Sequence, residues 1–392
     1  MNKKVIYFIL AIIAYVAAAG ISYVVFSKTP SLTGQQAVIS QPLPTTKTLA
    51  NGSVVFDQNA PKTESCPLNG AMYSKEQKNW WMQHEPLGVM IENHQDARPQ
   101  SGLSYADIVY EAVAEGGITR FLGVFYCQDA SEIGPIRSAR VYFLDELSEY
   151  GSYPLYAHVG GANADGPADA LGTLDKIGWT GYNDLNQFSI GFPTFWRDYD
   201  RLGHTVATEH TMYSTTGKLW AVAKTRGITN TVKGGNSWDS NFNTYLFQND
   251  AAIADRPAAQ SIHVEFWSGD PAYYDDWTYD SKNNVYKRNN GGIAHIDKDT
   301  NQQLTTKNLV YLSMQQTHAN DGYEDNVHLL YNNRGTGKAV IFMNGKRIAG
   351  TWKKDSRTSR TLVYDSIGNP IKFVQGKIWF SILPLDGVLT VK

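Results

Sequence analysis

The pattern of apolar positions is most continuous at the start of the chain. The run VIYFILAIIAYVAAAGISYVVF, Val5–Phe26, contains no charged residue, and about 20 apolar residues suffice for a helix to cross a bilayer. Lys3 and Lys4 precede this run, so the bias of positive charge towards the cytoplasm leaves the amino terminus inside. A signal peptide cleaved at Ala17–Ala19 is the alternative. Because the apolar run continues beyond that point, the pattern favours a single-pass anchor over residues 1–27, with the bulk of the chain extracellular or periplasmic.

Neither the helical nor the strand period is evident between residues 28 and 79. The anchor is followed by SKTPSLTGQQAVISQPLPTTKTLANGS, which is rich in Ser, Thr, Pro, Gln and Asn. Such a composition buries too little apolar surface to form a core. We therefore predict a disordered linker over residues 28–79, with the folded part of the chain beginning near Trp80.

Strand-like and helix-like patterns alternate between residues 80 and 250. Short runs of β-branched and aromatic residues predict strands in LGVMIEN, ADIVYEA, ITRFLGVFY and YPLYAHVGG. Apolar residues at helical spacing predict helices in RSARVYFLDELSEYG, DGPADALGTLDKIG and STTGKLWAVAKTRG, and each of these stretches ends on glycine. The alternation predicts an α/β domain over residues 80–250.

The helical period disappears after about Ser261. Strands are predicted in SIHVEFW, NLVYLSMQQT, KAVIFMNGKRIAGTWKK, RTLVYD and GKIWFSILP, which are separated by turn residues. The Asn-Gly pair in MNGKRIAG predicts a hairpin, because these residues suit the type I′ turn. We therefore predict an all-β domain over residues 251–392, either a sandwich or a barrel-like sheet.

Composition and charge narrow the classes of function. The 35 Lys and Arg residues balance 37 Asp and Glu residues, for a net charge of −2, which excludes a nucleic-acid protein that depends on bulk positive charge. Cys66 and Cys127 either form one disulfide in an oxidising compartment or stay unpaired as small hydrophobes. With two cysteines and no HExxH or comparable histidine spacing, the sequence predicts no metal site and no cofactor.

Positive charge is concentrated in the stretch EIGPIRSAR. The Gly134-Pro135 pair ends a strand, and we expect a helix to begin directly after it, where unpaired backbone N–H groups favour anions. Arg137 and Arg140 would then share one face of the first turn, and Ser138 would add a hydroxyl donor. The alternative is that each arginine pairs with a local acid. The candidate acids are Glu111, Glu132 and Asp145.

Further polar residues extend this candidate anion site. FWRDYDRLGH contributes two more arginines, and HVGG places a histidine at a strand end, where sites in α/β sheets commonly form. The predicted ligand-binding residues are Arg120, Arg137, Ser138, Arg140, His158, Arg197 and Arg201. Asp107 and Glu111, in the hairpin that also holds Arg120, are candidate catalytic carboxylates. The sequence contains no Ser-His-Asp arrangement, nucleophile elbow or P-loop.

Several of these motifs, in this order, resemble the YerB-like lipoprotein family. They are RPQSGLSYADIVYEAVAEGGITRF (Arg98–Phe121), GPIRSAR, HVGG, FWRD, GTWKK and GKIWFSILP, and the resemblance covers most of Pro86–Gly387. It implies a bacterial surface protein with an N-terminal α/β domain and a C-terminal β domain. It assigns no catalytic residue, because the biochemistry of the family is unassigned. Family members are commonly lipoproteins, whereas this sequence has no cysteine near Ala19 to carry a lipid, so we expect a transmembrane helix to replace it.

The order of ADIVYE, GPIRSAR, HVGGANADGPADALGTLDKI and FWRDYDRLGH is also similar to the motif order of LytR-CpsA-Psr phosphotransferases. These single-pass proteins transfer glycopolymers from polyprenyl-pyrophosphate carriers with arginines and a magnesium-binding acid. The similarity places Arg137 near their Ser-x-Pro-Arg motif and Asp107 near their strand aspartate. This sequence departs from the pattern, because its proline is not adjacent to the arginine and the arginine-rich helix is reduced to Arg197 and Arg201.

Three functional classes follow, and whether the chain is an enzyme stays open. The first is an envelope protein that binds a glycopolymer, phosphate or carboxylate group through its arginines. The second is a magnesium-dependent phosphotransferase acting on polyprenyl pyrophosphate, and only this class needs a cofactor. The third is a scaffold partner of a cell-wall synthase. The expected partners are the membrane, through Val5–Phe26, and a cell-wall polymer or a cell-wall synthesis protein, and not nucleic acid.

Overall fold

The computed structural model describes residues 46–48, 52–231 and 233–392. The predicted membrane span Val5–Phe26 lies outside these residues. Within the described part of the chain, no helix has the length and apolar character needed to cross a bilayer. The single-pass anchor therefore stays a prediction.

Strands dominate the described residues, and the helices are short. The strands are β1 (Thr46–Thr48), β2 (Val54–Phe56), β3 (Lys62–Ser65), β4 (Met72–Ser74), β5 (Leu87–Glu92), β6 (Ile108–Glu115), β7 (Ile118–Phe125), β8 (Leu155–His158), β9 (Asp184–Asn186), β10 (Trp196–Arg197), β11 (Met212–Tyr213), β12 (Leu246–Gln248), β13 (Ser261–Glu265), β14 (Asp275–Asp280), β15 (Val285–Asn290), β16 (Ile293–Ala294), β17 (Ile296–Asp297), β18 (Gln302–Gln303), β19 (Thr305–Thr306), β20 (Asn308–Met314), β21 (Gln316–His318), β22 (Leu329–Tyr331), β23 (Gly335–Met343), β24 (Lys346–Lys354), β25 (Leu362–Asp365), β26 (Lys372–Val374), β27 (Ile378–Pro384) and β28 (Val388–Val391). The α-helices are α1 (Lys75–Trp81), α2 (Val141–Leu147), α3 (Ala170–Lys176), α4 (Gln187–Ile190) and α5 (Thr216–Thr225). Turns of 3₁₀ helix cover Gln95–Ala97, Leu103–Tyr105, Thr208–His210, Ile253–Asp255, Pro271–Tyr273 and Glu324–Asn326.

A mixed sheet of ten strands forms the centre of the fold, in the order β25-β24-β23-β20-β27-β6-β7-β5-β8-β9. Strand β27 is parallel to both of its neighbours, β20 and β6. A six-stranded antiparallel sheet adds β16-β15-β14-β13-β28, with β19 beside β15. Trp277 on β14 meets Trp379 on β27 with ring centroids 5.2 Å apart, so aromatic packing joins the smaller sheet to the middle of the larger one.

The two predicted domains share this central sheet. Ile378 pairs with Ile108 on one side of β27, and Ile382 pairs with Leu312 on the other. Strands from residues 80–250 and from residues 251–392 therefore complete each other's hydrogen bonding, and the described residues belong to one compact unit. The prediction of an α/β segment followed by a β segment agrees with the order of helices and strands along the chain. The central sheet, however, contains strands from both sides of residue 250.

The predicted disorder is wrong for the described part of the linker from residue 52 onwards. Cys66 and Leu68 are fully buried there, and α1 is capped by Ser74, whose side chain accepts a hydrogen bond from the N–H of Gln77. Cys66 forms a disulfide with Cys127, with the two Cα atoms 6.0 Å apart. The polar composition gave no sign of this packing, because a few buried residues and one cross-link are enough to attach the segment to the core.

The predicted helix start at Gly134-Pro135 is also wrong. The chain stays extended through this stretch, where Ile136 bridges to Ile91 and Ala139 bridges to Gly161, and the helix begins only at Val141. Alternate side chains of an extended chain point in opposite directions. Two arginines three positions apart therefore diverge here, whereas a helix would have placed them on one face.

Other predicted elements are present. Strands β5, β7 and β8 and helices α2, α3 and α5 fall within the stretches that predicted them. Strand β6 begins within ADIVYEA and continues three residues beyond it, to Glu115. The predicted hairpin joins β23 to β24, with Met343 paired to Lys346. Asn344 and Gly345 both have positive φ, 54° and 69°, as the type I′ turn requires.

An ion cluster lies between the two sheets. Arg288 on β15 is fully buried, donates to Glu111 at 2.8 Å and is also bonded to Asp275. Its guanidinium lies 5.0 Å from the ring centroid of Trp379, and the Trp379 indole N–H donates to Glu111 at 3.0 Å. Because a buried charge is tolerated only when it is paired, this cluster fixes β6, β14, β15 and β27 against one another.

We predict that Arg288→Ala destabilises the protein by about 3–5 kcal/mol, since it leaves two buried carboxylates without their cation. Chemical denaturation monitored by tryptophan fluorescence measures this loss. Arg347→Ala is the matched control, because Arg347 is exposed on β24 and its removal should change stability by less than about 0.5 kcal/mol. A loss below about 1 kcal/mol for Arg288→Ala would show that the cluster does not hold the sheets together.

Candidate functional site

A cleft of about 580 Å³ opens between the loop that follows β8 and the β10–β11 ribbon. Three residues of the predicted anion site line it, and they are Arg137, Ser138 and Arg197. The other residues around the cleft are Val159, Gly160, Gly161, Asn163, Leu171, Phe188, Thr208, Glu209 and Met212. The cleft therefore brings together residues that are distant in sequence, although it does not contain the whole predicted set.

Arg137 is anchored by its backbone and by one side-chain nitrogen. Its N–H donates to the Met90 carbonyl at 2.9 Å, and its own carbonyl accepts from Val159 at 3.0 Å. Nε donates to Glu92 Oε1 at 3.1 Å, while the side chain stays 27% exposed. Among the described residues neither Nη atom has a hydrogen-bond partner, so the outer edge of the guanidinium is open to the cleft.

Arg197 lies on β10, opposite Met212 of β11. Its Nη1 donates to the Thr208 carbonyl and to Thr211 Oγ1, which fixes the direction of an otherwise exposed side chain. The Nε and Nη2 donors have no partner among the described residues. Each of the two arginines therefore keeps two N–H-bearing nitrogens for a bound group.

His158 supports the cleft from beneath and does not line it. The imidazole is fully buried, with Nε2 2.7 Å from Asp184 Oδ1 and Nδ1 2.7 Å from the Gly160 carbonyl. Arg120 has a similar position, because its Nη1 donates to the Ser138 carbonyl at 3.2 Å. Both residues were predicted as ligand contacts, and the structure gives them the role of fixing the backbone of the cleft.

The two remaining predicted arginines point elsewhere. Arg140 is 8% exposed and pairs with Glu115, which also binds Arg120. Arg201 pairs with Glu132 at 2.7 Å and also reaches the Ser101 hydroxyl. The alternative of pairing with a local acid thus describes these two arginines. Glu132 is one of the acids that the sequence suggests, whereas Glu115 is a partner that only the fold supplies.

The candidate catalytic carboxylates are core groups. Asp107 is fully buried and accepts from the N–H groups of Tyr126 and Cys127, both at 2.8 Å. Burial raises the pKa of Asp107 to about 7. Glu111 is equally buried and belongs to the Arg288 cluster. Neither carboxylate reaches solvent, so the geometry gives them structural contacts and no access to a substrate.

Two groups of side chains in the described residues have metal-ligand chemistry. One is Cys66, Asp107 and Cys127, but its sulfur atoms are joined in the disulfide. The other is His94, Asp96 and His210, beside the cleft. Sequence reasoning missed it, because His94 and His210 lie on turns after different strands and only the fold brings their rings together.

A separate cavity of about 430 Å³ lies against α1 and α5. Trp80, His84, Glu85 and Trp220 line it, and His84 stacks on Trp220 with centroids 4.6 Å apart. Glu85 is 1% exposed, and neither of its carboxylate oxygens has a hydrogen-bond partner among the described residues. Desolvation by this burial raises the pKa of Glu85 to about 8.

With this geometry in place, the chain can be assigned to a class and then to a family. The class is a two-part β-rich protein in which both parts share one sheet, while the first part carries a cleft lined by two arginines. Residues 70–229 match the family described as "Protein of unknown function (DUF3048) N-terminal domain", and residues 262–380 match "Protein of unknown function (DUF3048) C-terminal domain". The chain belongs to this YerB-like family.

Two comparisons bear out this assignment. "Putative lipoprotein YerB" of Bacillus subtilis (strain 168) is 29% identical over 311 residues, which cover 77% of this chain and 82% of that protein. The crystal structure of the YerB protein from Bacillus subtilis is similar with a TM-score of 0.67 and 26% identity, over 84% of this chain and 100% of that chain. The resemblance seen in the sequence is therefore confirmed.

We predict that Glu85→Gln stabilises the protein at pH 8 and has little effect at pH 5. The carboxyl ionises near pH 4.5 in the unfolded chain and only near pH 8 in the folded one, so stability is lost as the pH rises between these values. Glutamine removes that loss, which we expect to be on the order of 1–3 kcal/mol. Denaturation midpoints of both proteins at pH 5, 6.5 and 8 measure it. An equal difference at all three pH values would contradict the raised pKa.

Proposed function

We propose that this protein is a membrane-anchored protein of the cell envelope whose cleft binds an anionic group of an envelope polymer. The observation that carries the proposal is the open donor set of Arg137 and Arg197 around one cleft. Planar guanidinium groups suit phosphate and carboxylate oxygens. The location is supported by the name of the Bacillus subtilis relative, "Putative lipoprotein YerB", and by the apolar run Val5–Phe26 of this chain.

The residues that line the cleft favour a polymer over a small free anion as the ligand. Phe188 lies on its rim with 75% of its surface exposed, and such a ring offers a stacking surface to a sugar. Ser138, Asn163 and Thr208 add polar side chains around the arginines. A cleft that holds both guanidinium donors and an exposed aromatic ring suits a phosphate- or carboxylate-bearing glycopolymer.

Binding is a better interpretation than phosphotransfer. The similarity to LytR-CpsA-Psr proteins puts a magnesium-binding acid near Asp107, yet this carboxylate is fully buried and bonded to backbone N–H groups. Arg201, the other arginine in that comparison with Arg197, is paired with Glu132. The residues that would perform the transfer therefore do not meet in the cleft.

We expect a phosphate-bearing ligand to raise the melting temperature of the wild-type protein, and Arg137→Ala and Arg197→Ala to weaken binding by about ten- to a hundred-fold each. A charge-assisted hydrogen bond contributes roughly 1.5–3 kcal/mol, which corresponds to that factor. Thermal shift and calorimetry with pyrophosphate and with poly(glycerol phosphate) measure both effects at fixed ionic strength.

Two control variants make this experiment decisive. Arg347→Ala removes an exposed arginine far from the cleft lining and should bind like wild type. Arg201→Ala breaks the ion pair with Glu132 and should lower the melting temperature without changing affinity. Wild type that gains no stability from either ligand, or Arg347→Ala that loses as much affinity as Arg137→Ala, would refute the cleft as an anion site.

The anchor is a separate part of the proposal. A reporter enzyme that is active only outside the cytoplasm should be active when fused after Lys392, because the single span over Val5–Phe26 leaves the carboxyl terminus outside. The mature protein should keep its first residues. Amino-terminal sequencing that begins at Gly20 or Ile21 would instead indicate a cleaved signal peptide.

A further inference from the structure

Two imidazoles and a carboxylate meet at the edge of the anion cleft. His94, Asp96 and His210 each offer one ligand atom, and these atoms lie within 4.8 Å of one another. We propose that His94, Asp96 and His210 form a binding site for a divalent transition-metal ion, with Zn²⁺ as the best-matched ion. This site is additional to the anion cleft and does not depend on the proposed function, since the metal alone is the probe.

Short turns at the ends of two different strands build the site. His94 follows β5 and caps the turn Gln95–Ala97, where its Nδ1 accepts from the N–H of Asp96 at 3.2 Å. His210 ends the turn Thr208–His210, just before β11. The two rings stack with centroids 4.8 Å apart and planes 12° apart. Because a lone pair lies in the plane of its own ring, the His94 ring has to turn out of this stack before both imidazoles bind one ion. Strand ends set the backbone positions, and only the outer side chains need to adjust around an ion.

One ring nitrogen of His210 is held by a carboxylate. Its Nδ1 lies 2.8 Å from Glu92 Oε2, and its side chain is 6% exposed. A carboxylate on one ring nitrogen directs the other nitrogen outwards, which is the usual arrangement behind a metal-bound histidine. In His210 the free nitrogen is Nε2, because Glu92 occupies Nδ1.

The other two ligands lie at a suitable spacing. His94 Nδ1 is 3.6 Å from Asp96 Oδ2, and two atoms bound at about 2.0–2.2 Å around a tetrahedral ion lie roughly 3.3–3.6 Å apart. Binding an ion through Nδ1 requires its hydrogen bond with the Asp96 N–H to break. Their side chains are 28% and 61% exposed, so both can rotate towards His210 without disturbing the core. His210 is buried and stays fixed, whereas the more exposed side chains of His94 and Asp96 move towards the ion.

The charges around the cluster match a divalent cation. The ionisable groups that act electrostatically on His210 are Glu92, Glu209 and Arg137, and Asp96 adds a further carboxylate from the cluster itself. With neutral imidazoles, three carboxylates against one guanidinium leave two negative charges. A divalent ion would neutralise them, and imidazole with carboxylate is a ligand set that favours Zn²⁺ and its transition-metal neighbours over Mg²⁺ or Ca²⁺.

Glu92 couples this site to the anion cleft. One of its oxygens binds Arg137 and the other binds His210. Three protein ligands leave a fourth position on a tetrahedral ion, and Arg137 lies on the far side of the same carboxylate. An ion held by the cluster would therefore add positive charge beside the two arginines of the cleft.

The test uses protein without a histidine tag, freed of metal by a chelator. We expect calorimetric titration with Zn²⁺ to give one site, and titration with Co²⁺ to give visible absorption bands typical of a four- or five-coordinate ion. His94→Ala and His210→Ala should weaken Zn²⁺ binding at least about tenfold. His204→Ala is the matched control, because His204 is exposed and outside the cluster, and it should bind like wild type.

His94→Ala and Asp96→Asn keep the test decisive if His210→Ala fails to fold, since both residues are at the surface. Metal-free variants should melt close to the metal-free wild type, while the rise in melting temperature produced by Zn²⁺ should be lost. Wild type that binds no Zn²⁺ at 100 μM, or ligand variants that bind as tightly as His204→Ala, would overturn the site. Failure of pyrophosphate to bind would leave this outcome unaffected, because no anion takes part in the titration.

Discussion

The parallel pairing of β27 between β20 and β6 is the constraint on which the rest of the structure depends. A strand from the end of the chain occupies the middle of the sheet, so the earlier strands have no continuous hydrogen bonding without it. Its Trp379 donates to Glu111, and Glu111 in turn holds Arg288 of the smaller sheet. One strand thus connects the two sequence segments, both sheets and the buried ion cluster.

The cleft is a consequence of that sheet and of the extended segment that crosses its end. Because residues 133–139 bridge to neighbours instead of forming a helix, Arg137 faces the cleft while Arg140 turns to Glu115. A nearly neutral protein thereby separates its cations into two kinds. Arg120, Arg140 and Arg201 satisfy buried or half-buried acids, whereas Arg137 and Arg197 keep open donors.

The name of the family specifies no activity, so the proposed function rests on the chemistry of the side chains. Asp107 and Glu111 are buried and paired inside the fold, and neither carboxylate lines the cleft. The cleft has two arginines with open donors and an exposed aromatic ring, and a histidine pair with a carboxylate lies beside it. The proposed recognition of a charged polymer depends on these groups, and Glu92 lies between the arginine and histidine sets because it contacts both Arg137 and His210.

The sequence by itself determined the family, the short apolar strands and the Asn344-Gly345 hairpin, because these depend on local periodicity, on turn chemistry and on motifs in a set order. It also identified Arg137, Ser138 and Arg197 as candidate residues of an anion site, because a guanidinium or hydroxyl group can donate hydrogen bonds to an anion in any fold that exposes it. It could not determine which arginines are free, since Glu92, Glu115 and Glu132 reach them only through the fold. The shared sheet, the packing of Cys66 against the core and the meeting of His94 with His210 were decided by tertiary structure alone. Each of these depends on contacts between residues far apart in the chain, which leave no periodic signal in either segment.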